Sequence, residues 1–274
     1  MIITALHTDL RGQPIPHTGK ELDRLQESQL LYGEPVKVHY GRGEWLYVEA
    51  LEQLRGEGGY GGWVAADAVG EGPTPNATVT TLRAIVSREP GGIPCGRLFI
   101  GSRVCVVGRE GGYARILYRG EERFIREATL KKEGRLEMAR AWLGSPYVWG
   151  GLLPPGMGID CSGLVHLAFR GEGLVIPRNS IDQYRGCTPC TAEELVPGDL
   201  LFASQRGPDP RTISHVMFYE EGEGLLEATI LVKLTRRVTA KERFGINLRE
   251  LRNGENYRGL FLFFGKWNSE PLTS

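Results

Sequence analysis

Apolar positions along this chain follow two rhythms. Up to about residue 130 they come as short runs broken by glycine, and beyond it they come first at helical spacing and then in solid blocks. In the first stretch, residues 30–38, 44–49 and 61–65 read as strands separated by glycine turns, the signature of a small barrel or sandwich. Residues 70–76, Gly-Glu-Gly-Pro-Thr-Pro-Asn, have the composition of a linker. Runs at 79–84, 97–107, 113–118 and 122–125 then repeat the order of apolar strand, glycine turn and aromatic-bearing strand. This suggests a duplicated module, with two unrelated β modules as the alternative. Leu136, Ala139 and Leu143 are spaced for a helix over 133–143 that Gly144 and Pro146 stop. A second helix is predicted from Cys161 through Leu164, Val165, Leu167 and Ala168, with Asp160 as its N-cap. Runs at 199–203, 215–219, 224–229 and 259–264 read as strands. The expected fold is multidomain: two small all-β barrels (1–72 and 76–130) followed by an α+β domain (132–274).

Composition narrows the function. Of 274 residues, Lys plus Arg and Asp plus Glu number 33 each, so no nucleic-acid partner or acidic membrane is expected, and a small neutral or zwitterionic substrate fits better. Residues 1–9 lack the basic start and apolar run of a secretory signal, and no later segment has the length of a membrane span. A cytoplasmic protein without membrane insertion is expected. Five cysteines do not suggest a disulfide scaffold, and the odd count leaves at least one thiol free.

Cys161 is the choice for that thiol. In the first turn of a helix, unpaired N–H groups and the helix dipole favour a thiolate, and an imidazole can hold the exchanged proton. His215 opens a predicted strand and is the candidate base. Its alternative role is that of a hydrogen-bonded strand-edge residue, with Cys161 a small buried hydrophobe. His166 is five positions beyond Cys161, roughly 140° around the helix, and His7, His17 and His39 sit in the β-rich part. Glu227, twelve residues after His215, could orient the imidazole across a hairpin, or face solvent. Cys187-Thr-Pro-Cys190 reads as plain loop cysteines, with a local disulfide or a metal half-site as alternatives. The glycines between 41 and 62 match no phosphate-binding signature and read as hairpin turns. Trp45, Tyr47, Tyr60 and Trp63 read as core packing, or as an aromatic wall for a neighbouring cleft.

The stretch 134–267 resembles the NlpC-type cysteine peptidases of bacterial cell-wall metabolism. The resemblance rests on Ser145-Pro-Tyr-Val-Trp-Gly150, Asp160-Cys-Ser-Gly-Leu-Val165, Pro177-Arg-Asn-Ser180 with Gln183, Val196-Pro-Gly-Asp-Leu200 and Ser214-His-Val216. The two β modules resemble bacterial SH3-type domains. The family implies a papain-like α+β core and hydrolysis of the γ-D-glutamyl bond to a diamino acid in peptidoglycan stem peptides. Cys161 is then the nucleophile, His215 the base, Glu227 the third member where many relatives carry histidine, and Tyr147 the oxyanion donor. The resemblance places Asp160 against the free ammonium of an N-terminal L-Ala, with Ser162, Arg178, Ser180 and Gln183 bordering the cleft. Arg178 could meet a substrate carboxylate or form an internal salt bridge.

The implied partners are peptidoglycan-derived peptides such as L-Ala-γ-D-Glu-diaminopimelate, met during recycling, and thioester chemistry needs no metal or organic cofactor. Two other functions fit the same residues: an amidase or acyltransferase using the Cys–His pair on another amide, and a non-catalytic wall-binding protein. The Gly- and Pro-containing stretch 204–213 reads as a loop, at a position where loops often select substrate.

Overall fold

The structure is a computed structural model that describes residues 1–17, 19 and 22–267. The end of the expected third domain, 268–274, lies outside the described residues.

The first part of the chain forms β1 (Ile2–Ile3), β2 (His7–Arg11), β3 (Gln26–Leu31), β4 (Val36–Arg42), β5 (Trp45–Arg55), β6 (Gly58–Ala65) and β7 (Val69–Gly70). Five of these make an antiparallel sheet in the order β3-β2-β6-β5-β4, while β1 and β7 pair with each other. Alternation along β5 and β6 turns Val48, Ala50, Tyr60 and Val64 inward to a core shared with Leu10, Leu30 and Val36. The second part forms β8 (Ala77–Thr78), β9 (Arg83–Ser87), β10 (Pro94–Phe99), β11 (Arg103–Glu110), β12 (Tyr113–Tyr118) and β13 (Glu121–Arg126), ordered β10-β9-β13-β12-β11-β8.

Neither sheet closes into the expected barrel. Closure would require β3 to pair with β4 and β10 to pair with β8, and these strands stand at opposite ends of their sheets. In the first sheet β2 meets β6 through a single residue pair, Arg11 with Trp63. The outer strand β3 is covered by the third part of the chain instead: the Gln26 amide donates to the Trp149 carbonyl at 2.7 Å, and the Leu152 N–H donates to the Gln29 side chain at 2.9 Å. These side-chain contacts put the third part of the chain beside β3, where a closing strand would have to lie. In the second sheet β8 is only two residues long, and β10 starts at a proline and carries a bulge between Pro94 and Gly96, which ends regular pairing.

The third part comprises α1 (Arg135–Arg140), α2 (Cys161–Gly171), α3 (Ser180–Arg185), β14 (Cys187–Pro189), β15 (Leu200–Ser204), β16 (His215–Tyr219), β17 (Gly224–Thr229), β18 (Leu234–Thr239), α4 (Ala240–Phe244), β19 (Asn256–Tyr257) and β20 (Leu260–Trp267). Its sheet runs β14-β20-β15-β16-β17-β18, with β19 against β20. Phe202, Val216, Phe218 and Leu226 pack on α2 through Leu164, Val165, Ala168 and Phe169. Leu201, Ala203, Met217 and Leu225 face the other way, onto α4 and Leu248 and Leu251. Both faces are covered, so these strands read in the sequence as unbroken apolar runs rather than alternating ones.

The parts interlock. Leu31 of the first and Ile100 of the second belong to the core around α2. Arg170, near the end of α2, pairs with Glu34 at 2.8 Å and donates to the Gly101 carbonyl at 3.2 Å, with both charged side chains almost wholly buried. Glu34 also accepts the Leu31 N–H and the Gln53 amide, so its oxygens are satisfied on both sides of the interface.

Candidate active site

The site is built on the first turn of α2. Asp160 has extended backbone and its Oδ1 accepts the Gly163 N–H at 2.6 Å, which caps the helix and sets Cys161 at its first position. Gly163 has to be glycine: a Cβ there would stand 2.5 Å from the Gly151 carbonyl oxygen and 2.9 Å from Asp160 Oδ1. The 145–159 segment thereby lies directly over the helix start, where Tyr147 and Leu152 both bridge to Ile159.

His215, the first residue of β16, is within hydrogen-bonding reach of the Cys161 thiol. Its Nε2 lies 2.8 Å from Glu227 Oε2 on the neighbouring strand β17, leaving Nδ1 for the sulfur. The expected nucleophile, base and carboxylate are thus brought into one line. Burial would push the His215 imidazole down, but the negative charge of the Cys161 sulfur, hydrogen bonding to it and the Glu227 carboxylate outweigh this and raise it to about 9. Burial acts to raise Glu227, yet its contacts with His215 and with Arg243 and Arg236 hold it down to about 2.

The two arginines are what the sequence reading missed. Arg236 faces Glu227 across the β17–β18 ladder and donates from Nε at 3.1 Å and Nη2 at 2.8 Å, while Arg243 of α4 lies 3.3 Å away. The legible signal was a hairpin placing residue 236 opposite residue 227, but β18 is too polar to be recognised as a strand.

The remaining candidates separate into two groups. Tyr147 is partly buried beside the thiol; burial first, then the charges of Cys161 and Asp160, raise its phenol, so it remains an O–H donor. Arg178 lies inside the protein, not along the cleft. Its Nη1 and Nη2 grip Asp160 at 3.0 and 2.8 Å, and it also donates to Ser162 Oγ and, across the interface, to Ser28 Oγ on β3, both at 2.9 Å. Gln183 is fully buried and donates to the Ser162 and Pro177 carbonyls, bracing the turn that carries Cys161. Ser180 is buried as the first residue of α3. His166 points away from the thiol, onto the Ile176 carbonyl and Arg170, and burial first, then the Arg170 charge, lowers it well below its ordinary value.

Cys187 and Cys190 carry free thiols that burial first, then neighbouring negative charge, pushes up to about 12 and about 11. Tyr60 is buried in the first sheet's core, with its hydroxyl on Glu27 at 2.9 Å, whereas Tyr47 and Trp63 pack edge to face on the outer side of that sheet.

A cleft of about 230 Å³ opens beside His215, lined by Tyr147, Trp149, Gln205, Ile230, Leu231 and Arg243 among others. Gln205 brings the 204–213 segment to its rim. No helix among the described residues is long and apolar enough to cross a membrane.

A thiol at a helix start, an imidazole beside it and a carboxylate behind the imidazole define a cysteine hydrolase. Residues 144–251 match the NlpC/P60 family. Over 222 residues the chain is 29% identical to the γ-D-glutamyl-L-lysine dipeptidyl-peptidase of Bacillus subtilis, which takes in 75% of this chain and 73% of the relative. The enzyme of the same name from Bacillus cereus is 28% identical over 70% of this chain and 64% of its own length. The fold is also that of the crystal structure of an NlpC/P60 family protein from Bacillus cereus, with a TM-score of 0.73 at 20% identity over 93% of this chain and 98% of that one. Residues 144–251 are therefore an NlpC/P60-family domain, preceded here by two open β sheets, and the protein is a cysteine peptidase of that type.

Proposed function

We propose that the protein hydrolyses the γ-D-glutamyl to diamino acid bond of peptidoglycan-derived stem peptides that carry a free N-terminal L-Ala, as a step in recycling them. The observation that carries this reading is the Cys161–His215–Glu227 line, in a chain whose similarity to two γ-D-glutamyl-L-lysine dipeptidyl-peptidases covers 75% and 70% of its length and so extends beyond residues 144–251.

In the proposed reaction the Cys161 sulfur, as thiolate, attacks the γ-carbonyl carbon while the Tyr147 hydroxyl donates to the developing oxyanion. The C–N bond breaks as the leaving nitrogen takes the proton from the His215 imidazolium, and a thioester remains. Water then gives its proton to the neutral imidazole and attacks the thioester, freeing the dipeptide acid and the thiolate. Glu227 holds the ring so that one nitrogen stays aimed at the sulfur. The substrate ammonium is received on the opposite side, where Asp160 caps α2 and where Glu27 of the first sheet, holding the Tyr60 hydroxyl, comes up to Gly150. Asp160 is already paired with Arg178, so we assign it a share of the negative potential there rather than a private ion pair with the substrate.

Mass-spectrometric product analysis of L-Ala-γ-D-Glu-diaminopimelate, its N-acetylated form and the Cys161→Ala variant tests the proposal. Release of L-Ala-D-Glu from the free peptide alone, and by intact Cys161 alone, is expected. Equal cleavage of both peptides would remove the amine requirement, and no cleavage of either would remove the substrate assignment.

A further inference from the structure

Arg243 has more hydrogen-bonding capacity than its partner uses. Its side chain comes from α4, immediately after β18, and only its Nε reaches Glu227, at 3.3 Å from either carboxylate oxygen. Glu227 is meanwhile gripped at shorter range by Arg236, through two nitrogens, and by His215. Among the described residues no hydrogen bond is formed by the two terminal nitrogens of Arg243. They belong to a largely buried guanidinium that is a wall of the same cleft as His215 and Tyr147. No aspartate or glutamate lines that cleft, whose other walls are Trp149, Ile230, Leu231 and neutral polar groups. A planar cation with a free edge, facing an apolar cleft that lacks an anion, suits a carboxylate from outside the protein.

The side of the cleft is fixed by its walls. Asp160, Arg178 and Ser28 do not line it; it lies beyond His215, over the β17–β18 turn. If the acyl half of the substrate lies toward Asp160 and the first sheet, as in the proposed function on which this inference rests, the half that leaves with the amine lies here. We propose that Arg243 binds a carboxylate of the departing diamino acid, so that the enzyme selects for a leaving group bearing one. That carboxylate is either the α-carboxylate, present on lysine and diaminopimelate alike in a tripeptide, or the distal carboxylate that only diaminopimelate has. A lysine ammonium entering the same space meets no counter-ion and faces Arg243 instead.

The test is steady-state kinetics of the intact protein and of Arg243→Gln on three amides of L-Ala-γ-D-Glu: with diaminopimelate, with lysine, and with cadaverine, which has neither carboxylate. Removing a charge-assisted, two-point contact should lower kcat/KM by on the order of 10- to 100-fold, mainly through KM. The loss is expected to be at least about tenfold larger on the carboxylate-bearing substrates than on the cadaverine amide, whose smaller loss reports the contact of Arg243 with Glu227. Loss on both lysine and diaminopimelate peptides supports the α-carboxylate, and loss confined to diaminopimelate supports the distal one. An equal loss on all three, with the pH profile displaced, overturns the inference and leaves Arg243 as a clamp on Glu227. Failure of the unaltered protein to cut any of the three overturns the proposed function and this inference together, whereas cleavage of all three with no effect of the substitution overturns this inference alone. Arg243→Lys, which keeps the charge but not the fork, should recover the cadaverine-amide activity and only part of the loss on the carboxylate substrates.

Discussion

Replacing Arg178 by methionine removes the guanidinium that holds the active-site turn and leaves its partner stranded. Arg178 is 1% exposed and makes contacts to both Asp160 oxygens, to Ser162 Oγ and to Ser28 Oγ. Without it a buried carboxylate keeps its cap bond to the Gly163 N–H but loses its salt bridge. Breaking a buried pair from one side costs about 3–5 kcal/mol, most of it the desolvation of the charge left behind. Changing Asp160 to asparagine as well removes that charge while an amide oxygen still caps α2, so the double variant should be more stable than the sum of the two single losses implies. The coupling from urea unfolding of the four proteins should exceed about 2 kcal/mol. A coupling under about 0.5 kcal/mol, with the Arg178→Met loss persisting in the Asp160→Asn background, would show that Arg178 acts by packing alone and refute the electrostatic argument.

Other substitutions and pH changes have definite outcomes. Glu227→Gln removes a charge that raises His215, so the alkaline limb of kcat/KM, expected near pH 9 from the raised imidazole, should move to lower pH in a pH–rate profile. His215 is raised from 6.5, so its stabilisation is complete below about pH 6.5 and disappears as pH climbs through about 9; Glu227 is lowered from 4.5, so its contribution is complete above about pH 4.5 and disappears as pH falls through about 2. Thermal scans should show a plateau between those two windows, and the alkaline decline should be smaller in His215→Asn. Gly33 has φ +79°, and a Cβ on it would lie 1.9 Å from the Arg103 carbonyl oxygen; Gly33→Ala should lose more than about 2 kcal/mol in denaturant unfolding, and a near-neutral result would mean the two sheets part there without penalty. Thiol titration of the folded protein at pH 8 should spare Cys187 and Cys190, whose thiols burial pushes up, while the exposed Cys95 reacts.

Strands buried on both faces, such as β15 and β16, announced themselves as apolar runs, and the helix from Cys161 was visible because its cap and its apolar spacing agree. Cys161 and His215 stand in the family blocks, whereas Glu227 was expected from a hairpin twelve residues after His215, and its carboxylate does lie against that imidazole. What stayed hidden depends on pairs distant in sequence. Ser28 and Arg178 are 150 residues apart, and nothing local to either marks a contact. Strand β2 has one fully buried apolar residue, Leu10, among polar neighbours, so its pattern is too sparse to read. Barrel closure failed as an expectation because short runs and glycine turns fix strands, whereas closure depends on whether the outer strands meet each other or another part of the chain.

Leu31 and Ile100 bear on how such a protein can be taken apart. They sit in the core around α2 although they come from the two N-terminal sheets, so cutting the chain near residue 132 would open two gaps in the peptidase rather than detach a finished unit. An excised peptidase would show apolar surface to its own copies and lose the Glu34 partner of Arg170. Shuffling this catalytic unit onto another carrier, in the laboratory or by gene fusion, therefore has to bring those two side chains along or replace them from the new neighbour.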